Sequence, residues 1–270
     1  MPKKRNNPRK PARSGQPNSP RASGSLPDVS DADFQALMQV FSAGTLGAAG
    51  LGAFGRRPPI ELPRPPAEAT TFRVRVDLRG AKPPIWRRLE LSSDLHLDVL
   101  HDVLQTAVGW FDCHLHAFHL AGERSAAFLT DYDLEEGEEG TGEADVRLDQ
   151  VLREVGDRLI YQYDFGDGWE HIIRLEAVSP RAPGDPGARC VAGRRAGPPE
   201  DIGGIWAYNE VAASLTGEPG APALDEHMME WLPPELDPTA FDVAEVNYAL
   251  EQLVGNRTPE EIRQARPPRP

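Results

Sequence analysis

Cysteine is almost absent: Cys113 and Cys190 are the only two among 270 residues. Two thiols at that separation cannot make a disulfide scaffold, so a packed core must hold the fold, and a reducing, cytoplasmic setting is expected. Acid is missing from the first 24 residues, which carry Lys3, Lys4, Arg5, Arg9, Lys10, Arg13 and Arg21. Proline, asparagine and serine follow that basic start where a secretory signal would place an apolar core, so no such signal is expected. Long hydrophobic runs are scarce. The uncharged stretch 34–54 approaches the length that spans a bilayer, but glutamines and repeated glycines interrupt it, and no membrane role is expected. No internal repeat of fixed period is present. Neither a nucleophile elbow nor the spacing of a catalytic triad occurs, and Cys113 beside His114 is only a faint hint of a thiol nucleophile.

What is present is acid. Past residue 24, 22 basic residues face 42 acidic ones, a net charge of −20. Phosphate is repelled by such a surface, so a nucleic-acid partner would have to be held by the arm alone. Such binding would weaken steeply with salt and vanish on deletion of residues 1–24. The composition shifts divide the chain into a basic disordered arm over 1–29, an amphipathic helix with a Gly-rich tail over 30–55 and a Pro-rich linker over 56–70. A folded domain over 71–256 and a disordered tail over 257–270 complete it. In the N-terminal helix Phe34, Leu37, Met38 and Phe41 share one stripe.

Within the domain, "TFRVRVDLRG" alternates apolar and charged residues with the period of a half-buried strand, and "IWRRLELS" answers it across a proline-containing turn. In "LHLDVLHDVLQTAVGW" Leu97, Leu100, Val103, Leu104 and Ala107 recur at helical spacing, with Asp94 available as a cap and Gly109 as the stop. A strand over "HLHAFHLAG", an acidic solvated loop and a short helix in "RLDQVLREVG" follow. "DRLIYQYDF" and "WEHIIRLEAV" then form a second hairpin, with Leu159, Tyr161, Tyr163 and Phe165 on its core face. Three helical stretches after residue 203 are expected to cover the sheet. The fold class is α+β: two β-hairpins with a crossing helix in a β-grasp-like core, plus C-terminal covering helices.

The segments "PPIWRRLEL", "LHDVLQTAVGW", "HLHAFHL", "YQYDFGDGWEHIIRLE", "GRRAGPPEDIGG" and "WLPPELDPTAFDVAEVN" stand in an order that resembles the plasmid pRi ORF-three-like family, also labelled insertion-element passenger proteins of TnpR type. The resemblance implies a domain of unknown biochemical activity associated with plasmids and insertion elements. The resolvase sense of the TnpR label finds no support in a basic recognition helix or in a nucleophile surrounded by arginines. Where relatives carry cysteines around "PPED", Ala196 and Ile202 stand here, so a zinc held by four thiolates is excluded.

Three segments could carry chemistry. In "DFGDGWEH", residues 164–171, the architectural reading gives Gly166 and Gly168 the positive φ of a tight turn, lets Asp167 satisfy local amides and packs Trp169 beside Phe165. The functional reading makes Asp164 or Asp167 a catalytic base beside His171. In "HLHAFH", His114 and His116 would share one side of a strand and bind a divalent metal with His171 or Asp167 as third ligand; the plainer alternative is a half-buried sheet edge. In "GRRAGPPEDIGG", Arg194 and Arg195 could clamp an anion or a partner, or simply pair with the domain's acids.

The expectation is a non-enzymatic cytoplasmic interaction or accessory module with a protein partner. A metal-dependent hydrolase using His114, His116 and His171, with Asp164 or Asp167 as base, is the first alternative. A DNA-associated accessory protein binding through the arm is the second.

Overall fold

The computed structural model describes residues 60–122, 127–255 and 257–265; the basic arm and the expected helix over 30–55 lie outside the described residues. The clean alternation of strand β1 (Thr70–Leu78) is realised as read: Phe72, Val74, Val76 and Leu78 are buried, while Arg73 is exposed and Arg75 and Asp77 are half-exposed. β1 pairs with β2 (Trp86–Ser92) on one side and with β6 (Trp169–Pro180) on the other. Strands β3 (His116–Leu120), β4 (Ala127–Phe128) and β5 (Arg158–Tyr163) extend the sheet beyond β6, and β7 (Ala188–Arg194) closes the far side. The order is β4-β3-β5-β6-β1-β2-β7, and each pairing is antiparallel. Both hairpins and the crossing helix are therefore present in a mixed α and β architecture. Their setting is an open antiparallel sheet of seven strands, and nothing finer about a β-grasp follows from it.

One sheet face is dry. Helix α1 (Leu97–Val108) lays Leu97, Leu100, Val103, Leu104 and Ala107 against it and stops at Gly109, whose φ of 96° suits a residue without Cβ. Side chains bolt the helix down: His101 Nδ1 and Gln105 Nε2 each lie 2.8 Å from the Tyr161 hydroxyl, and Arg87 Nε donates to the Ala107 carbonyl at 2.7 Å. Asp94 does not cap this helix as expected; it accepts from the Ser92 hydroxyl instead, and His96 occupies the cap position with no side-chain bond. The other sheet face is wet, carrying exposed or half-exposed pairs such as Arg73–Glu90 at 2.8 Å and Arg88–Glu176 at 2.6 Å. Each such pair is worth about 0–1 kcal/mol.

Three short helical pieces fill the connection from β4 to β5. These are α2 (Asp131–Glu135), opened by a Thr130 capping box, a 3-10 turn (Glu143–Asp145) and α3 (Leu148–Val151). Helices α4 (Gly204–Leu215), α5 (Glu226–Trp231) and α6 (Val243–Leu253) match the three expected stretches. α6 lies against β7 and α1, and Asn247 seals the sheet edge by accepting from Cys190 N at 2.7 Å and donating to Cys190 O at 2.8 Å. Two boundaries need correction. A further helix, α7 (Pro259–Ala265), stands in the stretch expected to be disordered; it buries Ile262, and Arg263 meets the buried Asp98 at 2.9 Å. The linker is also not wholly free: Ile60 N donates to Thr141 and the Pro63 carbonyl accepts from Gln150. Among the described residues no helix is long and apolar enough to cross a membrane.

Candidate functional site

The turn between β5 and β6 is built by aspartate more than by glycine. Asp164 holds φ at 52°, and its Oδ1 accepts from Gly166 N at 2.9 Å and Asp167 N at 3.2 Å. Gly168 has the expected positive φ, whereas Gly166 does not share it. The left-handed Asp164 breaks the strand register, so Phe165 is 54% exposed instead of facing the core. Trp169 consequently packs near Trp110, with ring centroids 5.8 Å apart.

This turn is one of three segments that meet at the same end of the sheet. Asp164 N donates to the Leu115 carbonyl at 2.9 Å, joining the turn to the segment that leads into β3. Asp167 Oδ2 accepts from Gly203 N at 3.1 Å, joining it to the start of α4. Phe111 N donates to Glu200 Oε2 at 3.2 Å, and the Tyr163 hydroxyl donates to Glu200 Oε1 while accepting from Cys113 N at 3.0 Å. Burial above all, with Glu200 beside it, pushes the Tyr163 hydroxyl pKa far up. Among the described residues the non-glycine residues with positive φ are Asp112, Asp164, Arg195 and Asp201, and the three aspartates sit one in each of these segments. Strained backbone of this kind persists only where its surroundings hold it.

Two groups of potential ligands result among the described residues: His114 with Asp164 and Asp201, and His101 with Asp112 and His116. In the first, His114 Nε2 lies 3.2 Å from Asp201 Oδ1 and 3.7 Å from Asp164 Oδ2. The second lies deeper and is internally satisfied. His101 Nε2 is 2.7 Å from Asp112, and His116 Nε2 is 3.0 Å and 3.1 Å from the two oxygens of the buried Glu143, an acid the sequence placed in a solvated loop. The two imidazoles stack with centroids 3.6 Å apart.

The expected trio of His114, His116 and His171 is thus not brought together. β3 begins only at His116, so His114 lies outside the strand and its alternation and turns to a different set of acids. His171 is buried beside Trp110 and Tyr161, and burial, with Arg87 nearby, pushes its pKa down to about 3. It remains a neutral core imidazole at neutral pH. Asp167, an expected base, is engaged with the start of α4. Arg194 is exposed and its carbonyl accepts from the buried Arg87 at 3.2 Å; Arg195 has φ of 68° and a buried Nε without a partner. No contact places either arginine on the His114 group. Although Cys113 is exposed, desolvation and then the Glu200 carboxylate push its thiol pKa up, which disfavours the thiolate a nucleophile needs.

Sequence reasoning missed Asp201, Glu200, Asp112 and His101 as members of these groups. The signals were in plain view: "PPEDIGG" pairs two acids with a glycine helix start, and His101 and Gln105 stand four apart on α1 beside its apolar stripe.

The profile of the plasmid pRiA4b ORF-3-like protein family matches residues 70–245. The uncharacterized protein y4hQ of Sinorhizobium fredii is 34% identical over 192 residues, spanning 68% of this chain and 93% of that protein. A crystal structure of a protein of unknown function from Methanosarcina mazei Go1 superposes with a TM-score of 0.55 at 28% identity, over 66% of this chain and 97% of the other. The matched span takes in the hairpins, the crossing helix, the strained turn and the acids that surround it, and the chain belongs to the plasmid pRiA4b ORF-3-like family.

Proposed function

We propose that this protein is a binding module of the cytoplasm, an accessory to plasmid or insertion-element functions, whose recognition surface is the end of the sheet where the turn at 164–168 meets the loops before β3 and α4. The carrying observation is the exposure there of Phe111 at 83%, Trp206 at 79% and Phe165 at 54%: Phe111 is held by its own amide on Glu200, Phe165 follows Asp164 in the turn that Asp164 bonds to the Leu115 carbonyl, and Trp206 stands in the first turn of α4. Rigidly mounted aromatic side chains lose little entropy on being covered and bury much area, which makes them the usual anchors of protein interfaces. Asp112, Glu200 and Asp201 lie among them on a chain whose residues 25–270 carry a net charge of −20. Charge complementarity therefore favours a protein partner with a basic, apolar-studded face.

The test is a double variant, Phe111→Ala with Trp206→Ala. Both side chains are largely in water, so thermal stability should stay within about 0.5 kcal/mol of the parent. Proximity labelling of the full chain in its own cells should lose its enriched partners in the variant. An unchanged partner set with an intact fold would refute the assignment of this surface.

The metal-assisted hydrolase remains a second reading because one observation favours it, the grouping of His114 with Asp164 and Asp201. Its base would have to be a group other than Asp167, whose carboxylate holds the start of α4.

A further inference from the structure

We infer that His114, Asp164 and Asp201 form a site for a single divalent cation of the zinc class, with at least one coordination position left open. This goes beyond the docking surface and holds whether or not a protein binds there.

Three features carry the inference. First, His114 Nε2 is buried and has no hydrogen-bond partner, although Asp201 Oδ1 is only 3.2 Å away. The two atoms are near each other without the alignment a proton between them would require. A buried ring nitrogen left so is costly unless something else meets its lone pair.

Second, the spacing suits a shared ion. Ligands held at about 2.1 Å from zinc are separated by about 3.4 Å in a tetrahedron, and the two nitrogen–oxygen distances, 3.2 Å and 3.7 Å, bracket that edge. All three donor atoms lie within 4.8 Å of one another, so only a small closure is needed. Asp201 can supply it, its side chain being 69% exposed.

Third, Asp164 is already committed in one direction only. Its residue is 7% exposed, its Oδ1 is occupied by the amides of Gly166 and Asp167, and its Oδ2 faces His114. The turn therefore orients this carboxylate as an outer partner orients a metal ligand, with no further ordering needed on binding. One imidazole with two carboxylates suits zinc or manganese better than magnesium or calcium, which favour oxygen alone. The deeper group of His101, Asp112 and His116 makes no such demand, because both ring nitrogens of His101 and Nε2 of His116 already meet Tyr161, Asp112 and Glu143.

Calorimetric titration of the full chain, purified without a polyhistidine tag, with Zn2+ and separately with Ca2+ tests this. One equivalent of Zn2+ should bind, Ca2+ should not compete, and Co2+ should give the visible absorption of a low-coordinate site. His114→Ala and Asp201→Asn should each weaken Zn2+ binding by more than about 100-fold, beyond the 10–100-fold that loss of a merely supporting residue costs. Asp164→Asn keeps the amide acceptor that holds the turn, so a loss of binding with circular dichroism unchanged would assign a ligand role to its carboxylate. Failure of the parent protein to bind Zn2+ would overturn the inference. So would equal binding by His114→Ala with loss in His116→Ala, which would move the ion to the buried group.

Discussion

At the scale of single residues, burial has decided between chemistry and architecture. His171 was a plausible metal ligand by composition, yet it sits in the core among Trp110 and Tyr161 with its Nδ1 unpartnered. Its pKa falls from the usual 6.5 to about 3 in the folded state, so between those values the unfolded chain takes up a proton that the folded chain refuses. Stability from this group is complete above pH 6.5 and is lost as pH falls toward 3. Between pH 6.5 and 4.5 the loss from this one residue should reach about 2–3 kcal/mol. Urea unfolding of His171→Phe at those two pH values should show a smaller acid loss than the parent. An identical loss would mean that His171 is not the group responsible.

At the scale of elements, the union of the turn with α4 is the joint that builds the site. Gly204 has φ of 82°, and a Cβ added there would stand 2.5 Å from the Asp167 carbonyl oxygen, against backbone that cannot swing away. Gly156 has φ of 105° with open space around it. Gly204→Ala should therefore cost about 2 kcal/mol or more, combining conformational strain with separation of the joint, whereas Gly156→Ala should cost about 1 kcal/mol from strain alone. Denaturant midpoints of the two variants measure the difference, and equal costs would show that α4 does not rest on the turn.

The same elements show what could be read in advance. Period-two alternation in β1, β2, β5 and β6 and the apolar stripe of α1 were legible because burial on one face imposes them on the sequence. The site was only half legible. His114 and Asp164 stand in motifs visible in the sequence, but Asp201 lies 37 residues past Asp164 on a loop whose path is fixed by tertiary contacts. Alternation puts Phe165 on the core face only if it runs on through Asp164, and that aspartate turns left-handed to satisfy two amides with one oxygen. The last helix is hidden for a similar reason: among its described side chains the only buried apolar anchor is Ile262, too little for a periodic signal.

At the scale of the whole molecule, the sheet has a dry face under helices, a wet face of paired charges and an end where strained aspartates and uncovered aromatics gather. The proposed recognition surface is that end. The most direct measurement replaces Phe165 in the full chain with a photo-crosslinking phenylalanine, and in a parallel protein replaces Arg174, exposed on the wet face. Irradiation in the cells that make the protein should yield discrete adducts from position 165 and none from position 174. Adducts from position 174 alone, or from neither position, would contradict it.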